Sequence, residues 1–335
     1  MVRAAVDDPE LGEPPRRKRG GAPVTALLVL FAAAFLGWAA LPLLGLDVFD
    51  RYTIAFVALL QYAVPVGVVL ALVALVLRRW LTTLVVALAV VGLVAFVAPR
   101  AVPDAQPTTP GTPLRVLSLN TYFGRADAAQ IVDLVRRGDV DVLGVQELTP
   151  ELVAELDRAG LGQVMPHRVF HAGPAADGTG IASRFPLQEL SLVPKTTLHQ
   201  PSARILLPGG KSVEFVAVHP LYPVGADTAD AWQRDLAALP EPPHDGAVRL
   251  VAGDFNATLD HTPLRALLGR GYRDAAEVTG AGLQPTWPRP DQWLPPPVTI
   301  DHVLVSGSAA VRDYRTVPVR GSDHRGILAD VVVPR

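Results

Sequence analysis

The residues able to do chemistry in this chain are carboxylates, amides and imidazoles that recur at the ends of short apolar runs. LRVLSLN ends in Asn120, GVQEL carries Glu147, and VEFVAVH ends in His219. VRLVAGDFN brings Asp254 and Asn256, TIDHVLVS brings Asp301, and GSDHRGI carries Asp323 beside His324. Oxygen-rich donors of this kind bind hard cations, and the same groups move protons. The sequence has no cysteine, which excludes thiolate chemistry and zinc–thiolate sites and makes Mg²⁺, Mn²⁺ or Ca²⁺ the expected cation. Glu147 follows an apolar run at an expected buried strand end, where an unpaired carboxylate is costly, so a metal is its expected partner. Strand alternation would set Asp254 and Asn256 on one face and Phe255 on the other, letting both polar groups reach one point. By the same alternation His302 points away from Asp301, as a packed or surface histidine. His167, His171, His199, His244 and His261 fall outside these runs and are expected in loops.

Positioning these side chains requires a scaffold whose strand ends converge. From Leu114 onward, strand-like runs alternate with helical patterns, among them amphipathic Ala128 to Arg137 and a helix around Glu151 to Ala159. One α/β domain spanning 114–335, with its site at the strand termini, is the expected arrangement. That segment holds 21 Lys+Arg against 25 Asp+Glu, a net of −4, which disfavours non-specific binding to a nucleic-acid duplex.

The first hundred residues follow other rules. Hydrophobic residues make up 50% of the 335-residue chain and mean hydropathy is +0.29, with the excess concentrated before about residue 100. A polar tail over 1–22 contains Arg16, Arg17, Lys18 and Arg19. Three uncharged runs follow within 23–100, from Val24 to Leu46, Ile54 to Leu77 and Trp80 to Pro99, each of membrane-spanning length. A cleavable or twin-arginine export signal is the rival reading of the first run, and the two further spans argue against it. The basic clusters at 16–19 and 78–79 predict a cytoplasmic N-terminus, and three crossings place the rest of the chain outside the cytoplasm. Residues 101–113, with four prolines, are expected to be a linker.

LSLNTYF, GVQEL, GTGIASRFP, AVHP, AGDFNAT, TIDHVLVS and GSDHRGI together resemble, in order and spacing, the motifs of the endonuclease/exonuclease/phosphatase superfamily. The resemblance implies a four-layer α/β sandwich, two packed β-sheets flanked by helices, that directs water onto a phosphoester or phosphoanhydride. It implies Mg²⁺, with Mn²⁺ as the alternative, on Glu147, with Asn120 beside it and Asp323 close to the metal. It implies His324 as the catalytic histidine oriented by Asp301, and Asp254 and Asn256 of GDFN at the phosphate. It also implies His219 as a second histidine for phosphate oxygens or the leaving group, and a structural role for Arg184. Either Asp254 or His324 could take the proton of the attacking water.

Three functions compete. The first is a bacterial membrane enzyme acting on a phosphorylated substrate near the bilayer, and the others are an exported nuclease and an inactive binding module. A nuclease groove should carry many Lys and Arg with stacking aromatics, yet Lys195 and Lys211 are the only lysines from Leu114 onward. The architecture also resembles the VanJ type of actinobacterial membrane protein found with glycopeptide resistance, and that resemblance alone implies polyprenyl pyrophosphate as substrate. The bilayer is the expected partner, nucleic acid is not, and no obligate protein partner is inferred.

Overall fold

The computed structural model describes residues 22–334, apart from positions 109, 226, 245, 290, 293 and 294. The basic cluster at 16–19 lies outside the described residues. Helices α1 (Ala22–Ala40), α2 (Arg51–Ala58), α3 (Leu60–Val76) and α4 (Trp80–Val97) come first. Strands β1 (Gly111–Asn120) and β2 (Val142–Gln146) flank α5 (Ala128–Arg137). Helices α6 (Pro150–Arg158) and α7 (Leu161–Val164) lead to β3 (His167–His171), β4 (Thr179–Ser183), β5 (Leu187–Leu190), β6 (Ser202–Leu206) and β7 (Ser212–Val218). Then come α8 (Ala229–Ala237), β8 (Val248–Asp254), α9 (Thr262–Gly269), β9 (Tyr272–Asp274), α10 (Ala275–Val278), β10 (Asp301–Ser306), β11 (Ala310–Pro318) and β12 (Arg325–Pro334).

The strands form two six-stranded mixed sheets, ordered β11-β12-β1-β2-β4-β3 and β5-β6-β7-β8-β10-β9. In each sheet one central pair is parallel, β1 with β2 and β7 with β8, and the other pairs are antiparallel. A parallel pair needs a crossover, supplied by α5 in one sheet and α8 in the other. The inner faces bury alternate residues such as Val116, Val142, Phe215, Leu250 and Val303 between the sheets. Helices α5, α6 and α7 cover one outer face through Ile131, Leu152 and Leu161. Trp232 of α8 and Leu264 of α9 cover the other. Asp127 and Thr149 cap α5 and α6, their side chains accepting from the N–H of Gln130 and Leu152.

The apolar helices differ in detail from the expected spans. Helices α1 and α4 are long and apolar enough to cross a membrane, whereas α2 and α3 are a pair bent by 72° that counts as a third span only if taken together. Most of their large apolar side chains, Leu30, Val69, Leu81 and Leu88 among them, face outward. Their mutual packing is close at Gly67, where a Cβ would stand 2.5 Å from both Phe35 and Val90. The run expected to continue to Leu46 breaks at Ala40, and the following turn docks on the α/β domain. Asp47 there accepts from Thr262 N–H and Oγ1, each at 2.6 Å.

The expected free linker is also built into the domain. Gly111 to Pro113 already pair with Val332 to Pro334, so the strand begins before Leu114. Asp104 N–H donates to Val278 O, and buried Arg100 forms a 2.7 Å ion pair with Asp260.

Candidate active site

The two crossovers aim the carboxyl ends of β1, β2, β7 and β8 at one edge of the sandwich. Antiparallel β10 starts there, with Asp301 opposite Asp254 in register, and β12 starts one residue beyond His324. Sequence-distant side chains therefore meet in a cleft of about 470 Å³ lined by Asn120, Glu147, His219, Asp254, Asn256, Asp323 and His324. Asp301 stands behind them against His324.

Asn120 is the hinge of this cluster. Its Nδ2 donates to Glu147 Oε1 at 3.1 Å and to Asp254 Oδ2 at 3.0 Å, while its Oδ1 accepts from Tyr122 N–H at 2.9 Å. The amide nitrogen therefore points at the carboxylates, and the oxygen, the atom a metal would need, faces Tyr122 N–H. Glu147 Oε2 accepts from Phe123 N–H at 2.6 Å. The backbone is left-handed at Tyr122, Phe123 and Glu147, with φ of 50°, 54° and 56°. This is a conformation that costs a non-glycine residue on the order of 1–3 kcal/mol and often marks functional sites. Thr121 Oγ1 holds the turn by donating to the carbonyls of Gln146 and Glu147.

His324 Nδ1 lies 2.8 Å from Asp301 Oδ2, and its Nε2 lies 3.7 Å from Asp254 Oδ2. Burial alone would push His324 down, but the carboxylates of Asp301 and Asp254 outweigh it and lift the imidazole to about 10. The ring is therefore an imidazolium across the neutral range. Burial raises Asp254 and Glu147 above the usual carboxylate range, and the charge of Asp254 adds to the shift at Glu147. Burial lowers His219, leaving it neutral. Its Nε2 lies 3.9 Å from Glu147 Oε1.

Asn256 reaches the cleft by a different route from the expected alternation. The strand ends at Asp254, and Asn256 is left-handed at φ 50°. Its N–H donates to Asp254 Oδ1 at 2.8 Å, and its Nδ2 donates to Pro220 O. Phe255 does turn the other way, into the core against Trp232.

The donor set fits a divalent cation. Glu147 and Asp254 are buried carboxylates converging on one neutral amide nitrogen, and Oδ1 of Asp323 is buried without a hydrogen-bond partner. Trp287 Nε1 donates to the other oxygen, Asp323 Oδ2, at 3.2 Å. Oxygens of Asp254 and Asp301 and a nitrogen of His324 also lie within 4.8 Å of one another.

His302 is buried behind the cleft, bonded to Asp274 Oδ2 at 2.9 Å and Ala257 O at 2.8 Å. Arg184 stays at the surface near Asp139 and Asp141. His167 and His171 lie on β3 rather than in loops. His261 is no loose loop residue: it is buried and lines the cleft. Thr258 N–H donates to its Nδ1 at 2.9 Å, so Nε2 carries the proton and donates to Ile54 O at 3.0 Å. Sequence reasoning also missed Ile54, Ala55, Ala58 and Leu59, which α2 and the residue that ends it add to the cleft wall. Only their place in an uncharged run was visible.

The sequence profile of the Endonuclease/Exonuclease/phosphatase family matches residues 117–324. The chain belongs to this family, whose members are metal-dependent phosphoester hydrolases, and it is an enzyme of that class. An endonuclease/exonuclease/phosphatase from Beutenbergia cavernae is 18% identical with a TM-score of 0.54, over 66% of this chain and 72% of that one. The D. rerio TDP2 complexed with single strand DNA product is 17% identical with a TM-score of 0.52, over 66% and 99%. A family protein from Bacteroides thetaiotaomicron is 16% identical with a TM-score of 0.50, over 67% and 99%. At these identities the likeness is one of fold. No curated protein matches the sequence significantly.

Proposed function

We propose that this enzyme is anchored in a bacterial membrane and hydrolyses a phosphoester or pyrophosphate of a lipid in that membrane, with polyprenyl pyrophosphate as the leading candidate. One observation carries the reading: the catalytic cleft opens along an apolar wall, and none of its described lining residues is Lys or Arg. A nucleic-acid strand needs cations along its backbone, whereas a single phosphate head with a hydrocarbon tail needs a polar end and an apolar one. The outward-facing apolar helices of the same chain and the resemblance to VanJ-type proteins support the same substrate. The basic clusters at 16–19 and 78–79 support a cytoplasmic N-terminus and a catalytic domain outside.

Glu147 and Asp323 are the residues that would hold Mg²⁺ or Mn²⁺. The cation, when bound, neutralises charge developing on the phosphoryl oxygens. Asp254, which faces the cleft 3.7 Å from His324 Nε2, is the base for the attacking water. Asp301 holds His324 charged and oriented so that its Nε2–H donates to the phosphoryl group. Neutral His219 and the Asn256 amide line the same phosphate end. A new oxygen–phosphorus bond forms from water as Asp254 takes the water proton, and the bond to the leaving oxygen breaks with its electron pair on that oxygen, which departs as the phosphate or alkoxide anion and is protonated from solvent.

The test compares turnover of a polyprenyl pyrophosphate and of single-stranded DNA by the full-length protein in liposomes, with Glu147→Gln as control. Metal-dependent phosphate release from the lipid is the expected result. DNA cleavage at a higher kcat/KM without phosphate release from the lipid would overturn the substrate assignment.

A further inference from the structure

Helix α2, expected as the beginning of a membrane span, forms a wall of the catalytic cleft. Asp50 caps its start, accepting from the N–H of Tyr52 and Thr53 at 2.7 and 3.1 Å. Ile54 is 2% exposed and sits in the apolar core under β7, β8, α8 and α9, with its carbonyl bound by His261. Before the helix, Asp47 is bound by Thr262. After the 72° bend, Gln61 Nε2 and Tyr62 Oη both donate to Pro297 O, at 3.0 and 2.8 Å. The helix is thus pinned at both ends and in the middle to the domain that carries the chemistry.

The two faces of α2 look onto different spaces. Half-buried Ala55, Ala58 and Leu59 line the cleft that holds Glu147 and His324, together with Tyr222, Val224 and Pro295. Tyr52 and Phe56 face a separate apolar groove of about 1170 Å³ walled by α1 and α3. A hydrocarbon chain leaving the phosphate end past α2 therefore meets apolar surface on both sides of the helix instead of water. Two alanines on the cleft face leave room that a larger side chain would fill.

Resting on the function proposed above, we infer that α2 is the specificity element of the active site. Ala55, Ala58 and Leu59 receive the first units of the chain of a phosphorylated single-chain lipid, and the enzyme selects its substrate by that contact. The N-terminal helices are then part of the catalytic site and not only an anchor.

The experiment uses the full-length protein in liposomes with Mg²⁺ and two measurements. In the first, Ala55→Phe and Ala58→Phe are compared with wild type on farnesyl pyrophosphate, with thermal unfolding as a check on folding. KM is expected to rise about ten-fold or more, with kcat changing less, because filling a pocket position by a few carbons alters discrimination by that order. In the second, farnesyl pyrophosphate carrying a diazirine on its first isoprene unit is photolysed on the wild-type enzyme and the adduct is mapped. Adducts at residues 54–59 are the expected result, and they do not depend on any variant folding. Hydrolysis of the lipid with wild-type KM in both folded variants, or adducts only outside residues 54–59, would overturn the role of α2 while leaving the proposed function standing. Failure of the wild-type enzyme to hydrolyse the lipid would remove both.

Discussion

Asp254 and Asp301 face each other residue for residue across β8 and β10, and both carboxylates turn to the one imidazole of His324, at 3.7 and 2.8 Å. The pairing divides the labour of the site. One carboxylate is fully engaged in holding the ring charged, and the other stands free of that bond, facing the cleft.

Replacing Asp301 should therefore act through His324. Asp301→Asn is expected to lower kcat by about 10²-fold, and His324→Ala by at least as much, in line with the loss of a proton-handling or charge-stabilising group. The double variant should be no worse than His324→Ala alone. Additive losses in steady-state kinetics would show that the two residues act separately.

Glu147→Gln retains the shape of the side chain and its bond from Phe123 N–H but removes the charge. Turnover is expected to fall by about 10²-fold or more, and the Mg²⁺ concentration needed for half activity to rise. A loss of thermal stability with unchanged metal dependence would mark Glu147 as a folding residue instead.

The buried pair of His302 and Asp274 gives stability a pH dependence. Burial pulls His302 down, but Asp274 overcomes it and raises the ring above its ordinary 6.5. A raised folded-state value means that the contribution is complete below 6.5 and is lost as pH climbs through the folded value. Unfolding midpoints measured from pH 6 to pH 9 should fall in wild type. His302→Leu should destabilise by about 3–5 kcal/mol, as expected when one partner of a buried pair is removed, and should flatten the decline over that range.

Asp47, fully buried, accepts two hydrogen bonds from Thr262. Asp47→Ala leaves the Thr262 N–H and hydroxyl unpaired and is expected to cost about 1–3 kcal/mol. Limited proteolysis should then cut between Leu41 and Arg51 faster than in wild type. Equal cutting rates would mean that the turn is held by other contacts.

Orientation in the membrane is testable by fusion. Because β1 begins at Gly111, reporters belong after Pro107, ahead of the strand. Alkaline phosphatase joined there should be active and a cytoplasmic reporter silent. The reverse pattern would refute three crossings from a cytoplasmic N-terminus.

Much of this protein was legible as local pattern. Helix α5 starts and ends where the amphipathic run does, at Ala128 and Arg137, because a helix buries one face every 3.6 residues and the sequence records that period directly. The central strands were equally plain, since β2, β7, β8 and β10 are buried on both faces and read as continuous apolar runs. Edge strands β3 and β5 went unread because a partly exposed, four- or five-residue strand carries little periodic signal. The site residues could be named from motif order, but their relations belong to the tertiary structure. That Asn120 turns its nitrogen to the carboxylates and that Asn256 arrives by a left-handed turn are products of register and backbone dihedrals. The position of α2 was the least legible of all. An uncharged stretch such as Ile54 to Leu77 satisfies a bilayer and a protein core alike, because both reward removal of apolar surface from water. Only the groups waiting on the folded domain, the hollow that takes Ile54, the ring of His261 and the carbonyl of Pro297, decide that its first turns lie against the active site.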